Sequence, residues 1–346
     1  MAGITSNSKQ SGDSMHKTGI FPVVIWVAAV LLQPGTDALA QVYRVQEMNT
    51  DQIRALDQEK TVVLLPGGIL EEHGPYLPSF SDGYMNERLT RDLAHAIVAR
   101  PGWKVLIFPL IPLGTDGANY IGGKQVFPGS YTVRSSTLRA VFMDLATVLG
   151  QQGFRRIFIV HIHGAPNHHR ALDQAGDYFH DLFGGQMINL FGLTMRFLRD
   201  TEGKSLNEKE RDEEGFSIHA NLSETSRILF LRPDLVSPDY KDALPYAGEN
   251  MDELIQIAEK KDWPGYFGSP RLAGVAFGAR VWNEFSASVV TLALKILEGF
   301  DYRKEPRWGD VAETLPAWAA LDKASLDHER KLEEKQLEWL KTKGLK

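Results

Sequence analysis

From residue 41 onward, the chain alternates short apolar runs with longer stretches in which apolar residues recur every three or four positions. Short runs are typical of buried strands, and the longer recurrence is typical of helices that cover a core. The pattern predicts strands at 61–65, 105–108, 156–161 and 186–190. It predicts helices at 83–100, 135–149, 169–183, 222–231, 280–299 and 324–343.

Strands that alternate with helices predict an α/β fold, with a mainly parallel sheet and helices on both faces. Ser135 or Ser136 is expected to cap the helix at 135–149. The segment 200–215, rich in Glu and Lys, is expected to be a solvated insertion. We expect one enzyme domain at 41–310.

The remaining residues, 311–346, form a predicted charged helical extension in which Leu332, Trp339 and Leu340 lie on one side. This side is expected to pack on the body of the protein, and the alternative is a contact with a partner.

The composition of the chain limits which partners and which metal ligands are expected. The net charge of −6 is spread along the chain without a basic stripe, so nucleic acid is an unexpected partner. The chain has no cysteine, which excludes thiol catalysis and thiolate metal sites. A metal site in this chain must be built from histidine and carboxylate.

The first 40 residues have the pattern of a signal peptide. Lys17 precedes an apolar run at 20–32, and Ala38-Leu39-Ala40 gives the small-x-small pattern of a cleavage site before Gln41. Met15 is an alternative start that gives a shorter signal. We predict export to the periplasm or the medium, with no stable membrane span after cleavage. The alternative is a retained N-terminal anchor.

The first chemical cluster follows the predicted strand at 61–65. Glu71 and His73 are two residues apart, so both side chains project to one side of an extended backbone while Glu72 points away. Asp82 can return to the same place at the start of a helix. Such a donor set suits Zn²⁺, Mn²⁺ or Fe²⁺. A polar loop with Asp82 as a helix cap is the alternative.

Two further clusters lie downstream. His161 and His163 share a face at the end of a predicted strand, whereas His168 and His169 are expected to open the next helix. Glu224 lies near the start of an apolar helix, where a buried carboxylate needs a partner such as a metal. A surface position for Glu224, beside a capping Ser223, is the alternative.

These three clusters together resemble motifs of the creatininase family, over residues from about 60 to 300. The family's Pro-x-Gly-Ser-x-Glu-Gln-His-Gly-Pro-His-Leu-Pro motif is similar to residues 66–78, and the spacing from His73 to Asp82 matches. The family's Asn-Gly-His-Gly-Gly-Asn is similar to residues 161–167, and its His-Ala-Gly-Glu-x-Glu-Thr-Ser is similar to 219–226.

The resemblance implies a creatininase-like fold, one or two divalent metals and a homo-oligomer, a hexamer in the family. It implies that Glu71 and His163 hold one metal, that His73 and Glu224 hold the other, and that Asp82 bridges them. His219 matches the catalytic histidine of creatininases.

The chain departs from the family pattern around the substrate. Tyr76 stands where the family has His, Gly68 replaces Ser, and His161 replaces Asn. Ala165 occupies the position of a family Glu, and Leu222 replaces the first Glu of the third motif. Creatinine itself is therefore not the expected substrate.

We predict a metal-dependent hydrolase that cleaves the C–N bond of a small cyclic or linear amide with water activated by the metal. His219 is the candidate acid for the leaving nitrogen, and Glu72 is a candidate group that orients a ligand. One alternative is a peptidase that trims a small peptide. The other is a non-catalytic exported protein that binds a metal or ligand.

Overall fold

The computed structural model describes residues 41–195 and 206–345. Within them, five parallel strands form one sheet in the order β1-β3-β2-β4-β5. The central pair is in register from Val62 opposite Arg156 to Pro66 opposite Val160. The strands are β1 (Val42–Arg44), β2 (Thr61–Pro66), β3 (Lys104–Ile107), β4 (Arg156–Val160) and β5 (Gln186–Asn189).

Both faces of the sheet are buried, as the apolar runs predict. Because side chains alternate along a strand, Val62 and Leu64 pack into one core while Val63 and Leu65 pack into another on the opposite face. All four side chains are fully buried. Helices cover each core, so the predicted α/β fold is confirmed.

The helices are α1 to α11 in chain order. Their bounds are α1 (Thr50–Arg54), α2 (Ser81–Val98), α3 (Ser135–Gln151), α4 (Pro166–Phe183), α5 (Leu190–Thr194), α6 (Glu208–Glu214), α7 (Leu222–Leu231), α8 (Met251–Glu259), α9 (Val275–Leu297), α10 (Trp308–Glu313) and α11 (Pro316–Thr342). Short 3₁₀ turns occur at Val45–Glu47, Ala118–Gly122, Pro233–Leu235, Pro238–Asp242, Pro270–Leu272 and Tyr302–Lys304.

The predicted strands and long helices are all present, with shifts at their ends. The helix predicted at 169–183 begins earlier, at Pro166, because proline is well suited to the first turn of a helix. The predicted serine cap of α3 is wrong, since Arg134 is the cap residue and makes no side-chain cap bond. Ser135 instead binds Glu329 of α11 through its amide and hydroxyl groups.

The segment predicted as a solvated insertion, 200–215, is only partly described. Its described part contains α6, which begins with a capping box between Asn207 and Glu210. Glu214 is buried and accepts a hydrogen bond from the Ser269 amide at 2.7 Å. Full solvation is therefore wrong for α6, because its end packs against the loop before Pro270.

The expectation for the C-terminal helix is also corrected. Leu332 and Trp339 on α11 are exposed, and Leu340 is only half-buried. The buried side of α11 is polar instead, and it consists of Asp322, Ser325 and Glu329. The division into domains at residue 310 stays a prediction.

The predicted signal peptide at 1–40 lies outside the described residues. Among the helices of 41–195 and 206–345, none is long and apolar enough to cross a membrane.

Candidate metal centre

The carboxyl ends of β2 and β4 meet at one edge of the sheet, where α/β folds place their ligand sites. The loop after β2 carries Glu71 and His73, and His163 follows β4. Asp82 lies in the first turn of α2, which starts beneath the same edge. All four side chains are almost completely buried.

One donor set consists of Glu71, Asp82 and His163. The His163 Nδ1 atom lies 3.1 Å from Glu71 Oε2 and 3.3 Å from Asp82 Oδ2. Ligand atoms around a tetrahedral zinc ion lie about 3.3 to 3.6 Å apart, given metal–ligand bonds of about 2.0–2.2 Å. Both distances from His163 Nδ1 are thus close to the spacing that one cation requires, and all three residues offer an atom within 4.8 Å of the others.

A second donor set consists of His73, Asp82 and Glu224. The His73 Nε2 atom lies 3.6 Å from Asp82 Oδ1 and 3.9 Å from Glu224 Oε2. The two oxygens of Asp82 thus face different donor sets, as a bridging carboxylate would. A third grouping joins Glu71, His73 and His219.

Unsatisfied atoms support a cation at this place. Within the described part of the chain, His73 Nε2 and Asp82 Oδ2 are buried and have no hydrogen-bond partner. Leaving such atoms unpaired costs about 1–3 kcal/mol each. A divalent cation would satisfy both atoms, so the residues fit the group that the sequence predicts.

Backbone groups orient the donor atoms. The Nε2 atom of His163 lies 3.0 Å from the carbonyl oxygens of Thr115 and Asp116 and donates its proton to them, which leaves Nδ1 free to face the carboxylates. The Ala118 amide donates to Glu71 Oε1 at 2.6 Å. Such contacts behind a donor set are typical of metal sites. The loop at 115–118 is therefore the support of the first donor set.

His219 lies beside both donor sets. Its Nε2 atom donates to the carbonyl oxygen of Glu72 at 2.6 Å, so its Nδ1 atom faces Glu71 at 3.7 Å and Glu224 at 4.0 Å. The Glu72 carboxylate lies on the other side of the ring, with Oε1 at 3.5 Å from Nε2. Glu72 therefore fixes the His219 ring and points away from Glu71, as its position in the sequence predicts.

The charges of the cluster are strongly coupled. Burial alone would lower the pKa of His163, but the adjacent carboxylates of Glu71 and Asp82 outweigh it and raise that pKa well above its usual value. Burial likewise opposes a charge on His219, whereas Glu71, Glu72 and Glu224 raise its pKa to about 10. The carboxylates at this place thus favour a positive charge next to them, on an imidazole or on a cation.

The other clustered histidines lie behind the site. His161 is buried under Gly67, and its Nδ1 atom lies 3.2 Å from His168 Nε2. Burial, with nearby histidines, lowers the pKa of His161 to about 3, so the ring is neutral. His169 binds the His163 carbonyl oxygen through Nε2. His168 and His169 open α4 as predicted, and His161 does not join the donor sets.

A cavity of about 890 Å³ lies over the site. Glu71, Asp82, His163, His219 and Glu224 form its polar floor. Ala165, which replaces a family Glu, also lines this cavity.

Sequence reasoning missed two parts of this site. One is the loop at 115–118, where Asp116 has a φ of 61°, a left-handed value that its sequence does not signal. The other is the C-terminal region, where Trp308 and Trp318 line the cavity. Two tryptophans in a charged stretch were the available signal for it.

The parallel sheet, with buried His and carboxylate donors at its carboxyl edge, has the arrangement of a metal-binding α/β enzyme. The family model of creatininase, described as creatinine amidohydrolase, matches residues 46–293. The chain therefore belongs to the creatininase family. The predicted enzyme class, a metal-dependent hydrolase of C–N bonds other than peptide bonds, is confirmed at the level of the family.

Two curated relatives are similar to this chain in sequence. The chain is 26% identical to a mycofactocin precursor peptide peptidase of Mycobacterium ulcerans (strain Agy99), over 74% of this chain and 93% of the relative. It is 25% identical to a creatinine amidohydrolase of Pseudomonas putida, over 51% of this chain and 67% of the relative.

The similarity to solved structures concerns the fold. A crystal structure of creatinine amidohydrolase (creatininase) is similar with a TM-score of 0.53 and 21% identity, over 75% of this chain and 98% of that one. A structure titled creatininase Mn is similar with a TM-score of 0.54 and 21% identity, over 75% and 99%.

Proposed function

We propose that this protein hydrolyses the C–N bond of a small cyclic or linear amide and that it depends on two divalent cations, Zn²⁺, Mn²⁺ or Fe²⁺. Glu71 and His163 would hold one cation, His73 and Glu224 the other, and Asp82 would bridge them. The observation that supports the proposal is the Asp82 carboxylate, whose two oxygens face the two histidines at 3.6 and 3.3 Å.

A divalent cation, when bound, lowers the pKa of its water to about 7 and polarises a carbonyl oxygen. The chain supplies the other requirements. The floor residues line the part of the cavity where the scissile amide would bind. His219 would donate a proton from Nδ1, the ring atom that faces the floor, to the leaving nitrogen. Glu72 keeps the ring in that orientation through its carbonyl oxygen.

Replacing Asp82 by alanine tests this proposal, because both donor sets lose a ligand. We expect the variant to lose metal in elemental analysis and to lose turnover by at least about 10³-fold. Glu87→Ala, an exposed change on the same helix α2, is the matched control. Full activity and full metal content in Asp82→Ala would contradict the proposal. Wild-type protein that never binds metal would favour a non-catalytic binder.

A peptidase is the second candidate, and two observations favour it. The cavity of about 890 Å³ lies in the range that takes drug-sized ligands, far larger than a single small ring needs. One relative is itself named a precursor peptide peptidase. Mass spectrometry of products from a mixed panel of short peptides and simple amides separates the two candidates.

Export and assembly complete the proposal. Residues 1–40 act as a signal peptide, and the mature protein begins at Gln41 in the periplasm or medium. N-terminal sequencing of the protein recovered outside the cytoplasm tests the cleavage. Light scattering tests the hexamer that the family resemblance implies.

A further inference from the structure

The C-terminal region beyond the family match forms one side of the cavity. The match ends at residue 293, whereas the cavity also contacts residues between 306 and 325. We name this stretch the C-terminal wall. Its apolar lining residues are Trp308, Val311, Leu315, Trp318 and Leu321.

The C-terminal wall is fixed firmly beside the metal centre. The indole nitrogen of Trp308 donates to the carbonyl oxygen of Gly164, next to His163, at 2.8 Å. Arg170 on α4 binds the Gly309 carbonyl oxygen at 3.0 Å and the Asp322 carboxylate at 3.2 Å. Because both α10 and α11 are tied to the same helix α4, the wall has a set position over the site.

The two tryptophans form one aromatic surface within the wall. The rings of Trp308 and Trp318 meet edge to face, with centroids 5.6 Å apart. Each ring is only half-buried and reaches the cavity. Edge-to-face contact is a preferred geometry for aromatic rings, and a third ring can add to such a pair.

The body of the protein also contributes apolar residues to the cavity lining. Ile121, Ile162, Phe191, Met195 and Ile218 contact the cavity from the body of the protein. Away from the floor, the lining is mainly apolar and also includes Tyr120, Arg227, Asp322 and Ser325. A substrate that fills this space must therefore bury an apolar group while its amide reaches the floor.

We infer that the C-terminal wall is a specificity element that selects amides carrying a bulky aromatic group next to the scissile C–N bond. This inference rests on the proposed function and names its substrate class. The aromatic group lies between Trp318 and the apolar residues of the body, and its contacts position the amide over Asp82 and His163.

Two amides with the same scissile bond, phenylacetamide and acetamide, test the inference. Wild-type protein loaded with Mn²⁺ should have a kcat/KM for phenylacetamide at least about 10-fold above that for acetamide. Trp318→Ala should abolish this preference, and Trp318→Phe should retain most of it. Trp339→Ala is the matched control, because Trp339 is exposed on the same helix.

A second measurement does not require catalysis. Isothermal titration of the metal-free protein with phenylacetamide should give binding that weakens at least about 10-fold in Trp318→Ala and is unchanged in Trp339→Ala. Circular dichroism checks that both variants are folded. If Trp318→Ala fails to fold, Trp318→Phe and Leu321→Ala provide the same comparison.

The outcomes separate this inference from the proposed function. If both amides are hydrolysed at rates that Trp318→Ala does not alter, the role of the C-terminal wall in specificity is refuted, whereas the proposed amidohydrolase activity is supported. Binding of phenylacetamide that depends on Trp318, without hydrolysis of either amide, would support the wall and refute the amidohydrolase. If Trp318→Ala and Trp339→Ala give the same kcat/KM and the same affinity for phenylacetamide, the role of the C-terminal wall in specificity is also refuted.

Discussion

Replacing Glu329 by alanine should weaken metal binding, although Glu329 belongs to neither donor set. Its carboxylate is buried on α11 and accepts hydrogen bonds from the Thr115 hydroxyl at 2.9 Å and from the Ser135 amide at 2.7 Å. Thr115 in turn presents its carbonyl oxygen to His163 Nε2 at 3.0 Å. Glu329 thus positions the loop that orients a proposed ligand.

The expected loss of stability in Glu329→Ala follows from the hydrogen-bonding groups that the substitution leaves unpaired. The Ser135 hydroxyl also donates to the Glu329 carboxylate, at 2.6 Å. The amide cannot rotate to a new partner, which costs about 1–3 kcal/mol, and each hydroxyl adds up to about 1 kcal/mol. We expect Glu329→Ala to lower the free energy of unfolding by about 3 kcal/mol and Glu329→Gln by about 1 kcal/mol, since the glutamine oxygen can still accept.

Metal affinity is the decisive measurement. Groups that orient a ligand from behind are commonly worth 10–100-fold in affinity, so the Kd for Mn²⁺ should rise by about that factor in Glu329→Ala and less in Glu329→Gln. Titration against a competing chelator, well below the melting temperature, measures it. Glu334→Ala, an exposed change on the same helix, is the control. A destabilised Glu329→Ala variant with wild-type Kd would refute the positioning role.

Two further predictions concern stability alone. Burial raises the pKa of the half-buried Asp173 carboxyl to about 7, against the opposing charge of Arg307. Between about pH 4 and 7 this carboxyl is ionised in the unfolded chain and protonated in the folded protein, so the folded protein should lose stability as the pH rises through this range. Asp173→Asn should remove this loss, which is worth on the order of 2 kcal/mol after solvent screening. Urea unfolding at pH 4.5 and 7.5 should therefore show a higher free energy of unfolding for the variant than for the wild type only at the higher pH. Gly67→Ala should destabilise the protein by about 1–3 kcal/mol, because an added Cβ would lie 1.7 Å from His161 Nε2. An unchanged midpoint of urea unfolding would contradict this close packing.

The sequence predicts those parts of the site that depend on local spacing. The two-residue separation of Glu71 and His73 fixes their relative direction, and the ends of β2 and β4 bring His163 to the same edge. Glu224 lies in the first turn of α7, where the predicted helix start places it. These positions require only the strand period, the helix start and the parallel sheet.

The missed parts depend on contacts that are distant in the sequence. Asp116 is held by Asn167 at 2.9 Å and by Ser325, which is 209 residues away. Its backbone is left-handed, and its carbonyl oxygen accepts a hydrogen bond from His163 Nε2. No local pattern encodes these distant contacts. The burial of α11 was mispredicted for a related reason, because its buried side is polar and an amphipathic pattern indicates only apolar contacts.

The polar burial of α11 indicates that this helix serves the site as well as the stability of the fold. Trp318, Asp322, Ser325 and Glu329 are spaced three or four residues apart, so they share one side of the helix. Burying carboxylates costs free energy, and apolar residues would hold the helix in place at lower cost. On this side, however, Trp318 contacts the cavity, and Ser325 and Glu329 hold the loop behind His163. A single rigid helix therefore connects the surface that would contact the substrate with the loop that would orient the metal ligand, and a shift of α11 should alter both together.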